Sequence, residues 1–181
     1  MDYKTLAANV QLVVFDVDGV LTNGQLFFGS NGEELKVFHS QDGLAISAAR
    51  RAGLKTAIIT GRWTTMVELR SAELRIDAVY QGVVDKLAAL HELLKKYALT
   101  PEQVAYVGDD LNDLAAMSVV GLPCAVGNAV PEVKKAAGYI AERSGGNGAA
   151  REIIEMILKA QGKWAGVVAS YLQPGGVEAK Q

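Results

Sequence analysis

The chain has 181 residues, half of them hydrophobic, which suits one domain with a full core and leaves little for a second. Eighteen basic residues stand against twenty acidic ones for a formal charge of -2, with no long run of either sign, which argues against a nucleic-acid surface or an anionic membrane as partner. The lone cysteine, Cys124, excludes an intramolecular disulfide; the start MDYKTLAANVQLVVFD lacks the basic and apolar regions of a signal peptide, and no apolar run is long enough to span a bilayer, so a cytoplasmic, reducing setting is expected.

In chain order, the first strand is predicted at 11–15, and it runs apolar into Asp16, Val17, Asp18 and Gly19. A β-hairpin is expected next, over about 25–38, because the apolar stretches Leu26-Phe27-Phe28 and Leu35–Phe38 flank the turn signal Asn31-Gly32. Phe27, Phe28 and Phe38 are too many aromatics for a free-standing flap, so burial against another subunit is expected. Beyond it, strands near 55–59, 77–80, 104–107 and 123–126 alternate with helices near 43–52, 63–75, 85–97, 111–118, 131–137 and 148–161. That alternation predicts an α/β fold with a doubly wound parallel sheet. A single domain is expected over 1–164, with a loosely ordered tail at 165–181.

Ligands of such sheets sit outside the carboxyl ends of the strands. Four motifs fall there or close by: Asp16 and Asp18 after the first strand, Thr60 and Arg62 in IITGR, Lys86 in GVVDKL, and Asp109, Asp110 and Asp113 in VGDDLND. Gathered carboxylates repel one another, and hard oxygen ligands without a His or Cys cluster indicate Mg2+. With the cation and Lys86 offsetting charge and Thr60 donating to a phosphoryl oxygen, Asp16 can attack phosphorus. Asp18, from the same strand end, can protonate the leaving alcohol and then activate water. The expected chemistry is hydrolysis of a phosphate monoester through an aspartyl phosphate.

DVDGVLT, ITGR, Lys86 and GDDLND, in that order, resemble the four motifs of the haloacid dehalogenase superfamily. The resemblance implies a Rossmann-like fold, with Asp16 as nucleophile and Asp18 as acid/base and backbone-carbonyl metal ligand. It further implies Thr60 and Lys86 as phosphate binders, Asp109 as a metal ligand, and Asp110 and Asp113 in support. The gaps between motifs are too short for a cap domain, which puts the chain in the capless branch, its cleft open unless another subunit closes it. GEELKVFH, DGLAI, VYQGVVDKL and GGNGAAREI sharpen the likeness to the family of 3-deoxy-D-manno-octulosonate 8-phosphate phosphatases, of lipopolysaccharide precursor synthesis. That likeness implies a small sugar phosphate as substrate and a homotetramer built through the hairpins. It also implies Asp42, Gly43, Arg62, Arg70 and Asn112 near the substrate, and a glycine-rich segment, Gly145, Gly146 and Gly148, helping to cover a neighbouring subunit's active site.

The chain departs from the family pattern at Gln41, where many members have a basic residue, at Ser47, where an arginine is expected, and at His39-Ser40. A nine-carbon, sialic-type sugar acid phosphate therefore stands as an alternative substrate. A non-catalytic phosphoaspartate domain of receiver type is a second alternative, and a regulatory domain of a sugar-nucleotide enzyme a third. Some residues have plainer readings: Asp110 as a helix cap, His39 and a partly buried His91 as structural, Cys124 as core, and Gly145, Gly146 and Gly148 as a helix start.

Overall fold

A computed structural model describes residues 2–172. Six parallel strands form the central sheet: β1 (Leu12–Phe15), β4 (Lys55–Ile59), β5 (Ala78–Tyr80), β6 (Val104–Gly108), β7 (Leu122–Ala125) and β8 (Tyr139–Ile140), in the order β5-β4-β1-β6-β7-β8. Strand β1 is the hub, pairing Phe15 with Ile58 on one side and Val107 on the other. All its residues are buried, which is why it reads as an unbroken apolar run: a central parallel strand is covered on both faces.

Helices α1 (Tyr3–Ala8), α2 (Ser40–Arg51) and α7 (Ala149–Ala160) pack together, as do α4 (Lys86–Tyr97), α5 (Leu114–Met117) and α6 (Pro131–Ala136). The right-handed rule for crossovers between parallel strands assigns these two groups to opposite faces of the sheet. From β1 the chain winds outward through β4, α3 (Thr65–Leu74) and β5, then returns past β1 to β6, so the order reverses between β1 and β6. In such a sheet the crevice at that reversal is where a ligand binds.

The connection between β1 and β4 holds only a hairpin and α2, and that between β4 and β5 only α3, so no cap is inserted at either place. The hairpin is β2 (Phe27–Gly29) and β3 (Gly32–Leu35), joined through Ser30 and Asn31, with Gly32 at φ +115°. Phe27 pairs with Leu35 and Phe28 with Glu33, which leaves a bulge on the β3 side. It forms its own two-stranded sheet, with Phe28 62% and Leu35 61% exposed.

Three expectations drawn from the sequence are corrected by the fold. The segment after Trp164, expected to be loose, begins as helix α8 (Trp164–Ser170), with Val167 buried and the Arg51 guanidinium over the Tyr171 ring at 4.9 Å. Trp164, Val167 and Tyr171 stand at i, i+3 and i+7, a helical stripe short enough to overlook; positions 173–181 of the expected tail lie outside the described residues. The helix expected at 111–118 splits into a 3-10 turn, Leu111–Asp113, and α5, because the Asp113 side chain takes the Asp109 and Asp110 N–H groups. His91, expected to be partly buried, is exposed: Leu90, Leu93 and Leu94 face the core, and position 91 lies about 100° round the helix from 90.

Candidate active site

Asp16 follows β1 directly, its N–H donating to the Val107 carbonyl, so the sheet ladder holds its backbone. The side chain is almost fully buried; Oδ1 accepts from the Val17 N–H at 2.6 Å, and Oδ2 lies 2.7 Å from Lys86 Nζ. Lys86 opens α4, where Asp85 caps the helix by accepting from the Ala88 N–H. Its ammonium also lies 2.7 Å from Asp113 Oδ1, and the side chain is out of water. Burial opposes the lysine charge, but Asp16 and Asp113 outweigh it and hold the pKa above its ordinary value.

Asp113 organises the fourth motif. Its Oδ1 also accepts from the Tyr106 hydroxyl at 2.9 Å, and its Oδ2 accepts from the Asp109 N–H at 3.0 Å and the Asp110 N–H at 3.4 Å. Both oxygens are therefore engaged, and Asp113 fixes the loop on which Asp109 is carried. Gly108 admits this packing, since a Cβ there would meet the Asp113 Cβ at 2.6 Å. Asp110 is exposed and accepts from the Leu111 N–H, the capping role.

Asp109 is the group left open. Its Oδ1 is buried without a hydrogen-bond partner, and carboxylate oxygens of Asp16, Asp109 and Asp113 all lie within 4.8 Å of one another. Burial, then Asp16, Asp113 and Asp110, push the Asp109 pKa up to about 7. Burial, then Asp113, raise Asp16 to about 6 against the pull of Lys86. Two neighbouring carboxylates held above their usual range, one with an orphaned oxygen and no soft ligand among them, fit a hard divalent cation. Gly19 lets Asp109 come close: its φ is +87°, and a Cβ would stand 1.9 Å from Asp109 Oδ2.

Asp18, one turn residue beyond Val17, is about one-fifth exposed. Its Oδ1 accepts from the Lys36 ammonium, and its Oδ2 lies 3.8 Å from Arg62 Nε. Thr60, buried just after β4, is fixed through its backbone, donating to the Tyr80 carbonyl and accepting from the Val83 N–H. Arg62 stacks on the Phe28 ring of the hairpin at 5.5 Å.

The residues expected near substrate divide. A narrow cleft beside Leu21 is lined by Phe38, His39, Asp42, Gly43 and Arg70. Arg70 binds Glu73 at 2.7 Å through Nη1, while its Nε is buried and unpartnered. Gly43 makes room for it, because a Cβ would meet the guanidinium at 2.3 Å. Asp42 is occupied instead by the fold: its oxygens accept from the Gly148 N–H at 3.2 Å and the Arg151 N–H at 2.7 Å, capping α7 from another helix. Burial nonetheless raises its pKa. Asn112 is exposed on the 3-10 turn. Gln41 accepts from Arg143 at 3.0 Å, so a guanidinium borrowed from a later loop stands beside the non-basic side chain.

The glycine-rich segment is pressed onto the loop after Asp16 in the same chain. A Cβ on Gly145 would stand 1.6 Å from the Gly19 carbonyl oxygen, and the Gly146 N–H donates to the Val20 carbonyl. Gly148 ends the segment as the N-cap of α7. Cys124 is fully buried, and burial pushes its thiol pKa up, away from reactivity. Two site residues escaped the sequence reading. Lys36 stood inside GEELKVFH with no signal of its own; Tyr106 sat in an apolar strand, where its buried hydroxyl was the one hint.

A family model described as haloacid dehalogenase-like hydrolase matches residues 71–153. The chain is 48% identical over 162 residues, 90% of its length and 86% of the relative's, to a 3-deoxy-D-manno-octulosonate 8-phosphate phosphatase of Escherichia coli. The crystal structure of such a phosphatase from Moraxella catarrhalis, in complex with magnesium ion, phosphate ion and the sugar acid, superposes with a TM-score of 0.91 at 41% identity, covering 93% of this chain and 97% of that one. The cobalt-bound enzyme of Haemophilus influenzae superposes with a TM-score of 0.90 at 39% identity, covering 93% and 99%.

Proposed function

The chain belongs to the haloacid dehalogenase-like hydrolases, in the family of the 3-deoxy-D-manno-octulosonate 8-phosphate phosphatases, and from this we propose how its own residues perform that hydrolysis in lipopolysaccharide precursor synthesis. The activity is that of a Mg2+-dependent phosphomonoesterase: 3-deoxy-D-manno-octulosonate 8-phosphate and water give the sugar acid and phosphate. The observation that carries the reading is the contact of Asp16 with Lys86 beside the orphaned Asp109 oxygen, at the reversal point of the sheet.

Asp16, Asp109 and the Asp18 carbonyl would hold the cation, which when bound would supply positive charge to offset the repulsion between phosphate and carboxylate and the charge on the phosphoryl oxygens. Asp16, anchored by Val17 and Lys86, attacks phosphorus as the bond to the sugar oxygen breaks. Asp18 gives that oxygen its proton, then takes one from the water that attacks the phosphoaspartate, which releases phosphate and restores Asp16. Lys86 and Thr60 bind the phosphoryl oxygens. Arg62 and Arg70 receive the sugar acid, where the unpartnered Arg70 Nε offers a donor. Asp113 supports both the lysine and the metal loop, and Asp110 caps that loop. We infer that the hairpins, with Phe28 and Leu35 exposed, join four chains into a homotetramer, and that the enzyme works in the cytoplasm.

Phosphate release from the eight-carbon and nine-carbon sugar acid phosphates, with Mg2+ and with a chelator, tests the reading. The octulosonate is expected to have the higher kcat/KM, turnover to need the cation, and Asp16→Asn to lose about 10³-fold or more in kcat. Preference for the nine-carbon substrate would overturn the sugar assignment, and turnover by Asp16→Asn would overturn the nucleophile.

A further inference from the structure

The hairpin does more than expose an apolar surface. It meets the site at two points on the same chain, the Lys36 ammonium on Asp18 and the Phe28 ring under Arg62. Lys36 follows β3 directly, and its side chain is 1% exposed, deep enough that the ammonium needs an anionic partner. One of its partners is Asp18, the residue assigned to move the proton. Asp18 sits on a turn, where an aspartate has several rotamers to choose from. The lysine on Oδ1 and the Arg62 Nε 3.8 Å from Oδ2 flank its carboxylate on both sides.

We propose that Lys36 is a positioning residue for the acid/base: from the hairpin it holds the Asp18 carboxylate at the leaving oxygen and then at the attacking water. The proposal rests on the phosphatase reading above for Asp18's role. Proton transfer demands hydrogen-bond reach, and a misplacement of about 1 Å costs on the order of 10²-fold. Lysine suits the task as a compact charge on a long stem, which can contact one oxygen and leave the other for the reaction.

The two half-reactions separate this role from a merely structural one. A sugar alkoxide needs the proton from Asp18 to leave, whereas an aryl phosphate such as p-nitrophenyl phosphate releases a stable anion without it. Hydrolysis of the phosphoaspartate needs Asp18 in either case. Lys36→Met and Lys36→Gln are therefore expected to lose about 10²-fold in kcat on the octulosonate phosphate with little change in KM. On p-nitrophenyl phosphate they should release one equivalent of nitrophenol per site at close to the native rate and then stall, a burst the native enzyme lacks. Lys36→Arg should recover part of the loss.

Unchanged kcat in both variants, or equal losses on the two substrates without a burst, would overturn the proposal. So would loss of fold or assembly in both variants, read by circular dichroism and light scattering, because Lys36 would then be a structural member of the hairpin. A native enzyme that ignores the octulosonate phosphate, while Lys36→Met still bursts on the aryl phosphate, would remove the substrate reading and leave the positioning role standing.

Discussion

Asp16 and Asp109 stand close together with their pKa values raised to about 6 and about 7, and the direction has a consequence for the metal-free protein. A carboxyl whose folded pKa lies above its unfolded value binds its proton more tightly in the fold. The stability it contributes is fully present below the unfolded pKa, near 4, and is lost as pH rises through about 6 and about 7. Chelator-treated protein is therefore expected to melt at progressively lower temperature across that window. Mg2+ should reverse the trend, since it binds the deprotonated pair and raises Tm most on the alkaline side. Thermal melts against pH, with and without Mg2+, check both signs. A Tm that climbs with pH in the metal-free protein would mean that Lys86 holds both groups ionised.

At the level of elements, the junction of α2 and α7 is the most informative. Asp42 reaches across from α2 to accept the N–H groups of Gly148 and Arg151, so one helix caps another. Asp42→Ala is expected to destabilise the fold by about 1–2 kcal/mol, as loss of a cap does, with KM for the sugar phosphate nearly unchanged. Urea unfolding beside steady-state kinetics decides, and a raised KM at native stability would return Asp42 to the substrate. This residue also marks how far the sequence alone could lead. The alternation of strands with helices, the four motifs and the hairpin were readable, because apolar runs, turn glycines and paired aspartates are local signals. The partner of Asp42 lies more than one hundred positions away in the chain, and so does the Arg143 that serves Gln41. No local pattern reports such contacts, and Lys36 on Asp18 is hidden for the same reason. Helix α1 and strand β8 were also missed; each is so short that tertiary packing, not propensity, makes it.

For the whole molecule, the proposed assembly through the exposed hairpin would join assembly to chemistry. Phe27, 44% exposed and paired across from Leu35, belongs to the hairpin's exposed apolar surface, and Lys36 follows Leu35 directly. Phe27→Asp is expected to shift the protein to a smaller species in light scattering and to lower kcat by about tenfold or more, because a hairpin released from its neighbours holds Asp18 less well. Full activity in the dissociated protein would separate the two roles. Dilution of the native enzyme should show the same coupling, with specific activity falling as the assembly comes apart.

The brace of Gly145 and Gly146 against the loop after Asp16 also orders events on the ribosome. The nucleophile at position 16 is made well before the backbone at 145 and 146 that closes over its loop, and every later strand of the sheet is made between them. A nascent chain therefore carries both aspartates of DVDGVLT long before it can brace their loop, which is completed only once the two glycines have been made. A chain released before the glycines should be inert however well its sheet has formed, because the loop that carries Asp18 would lack its brace.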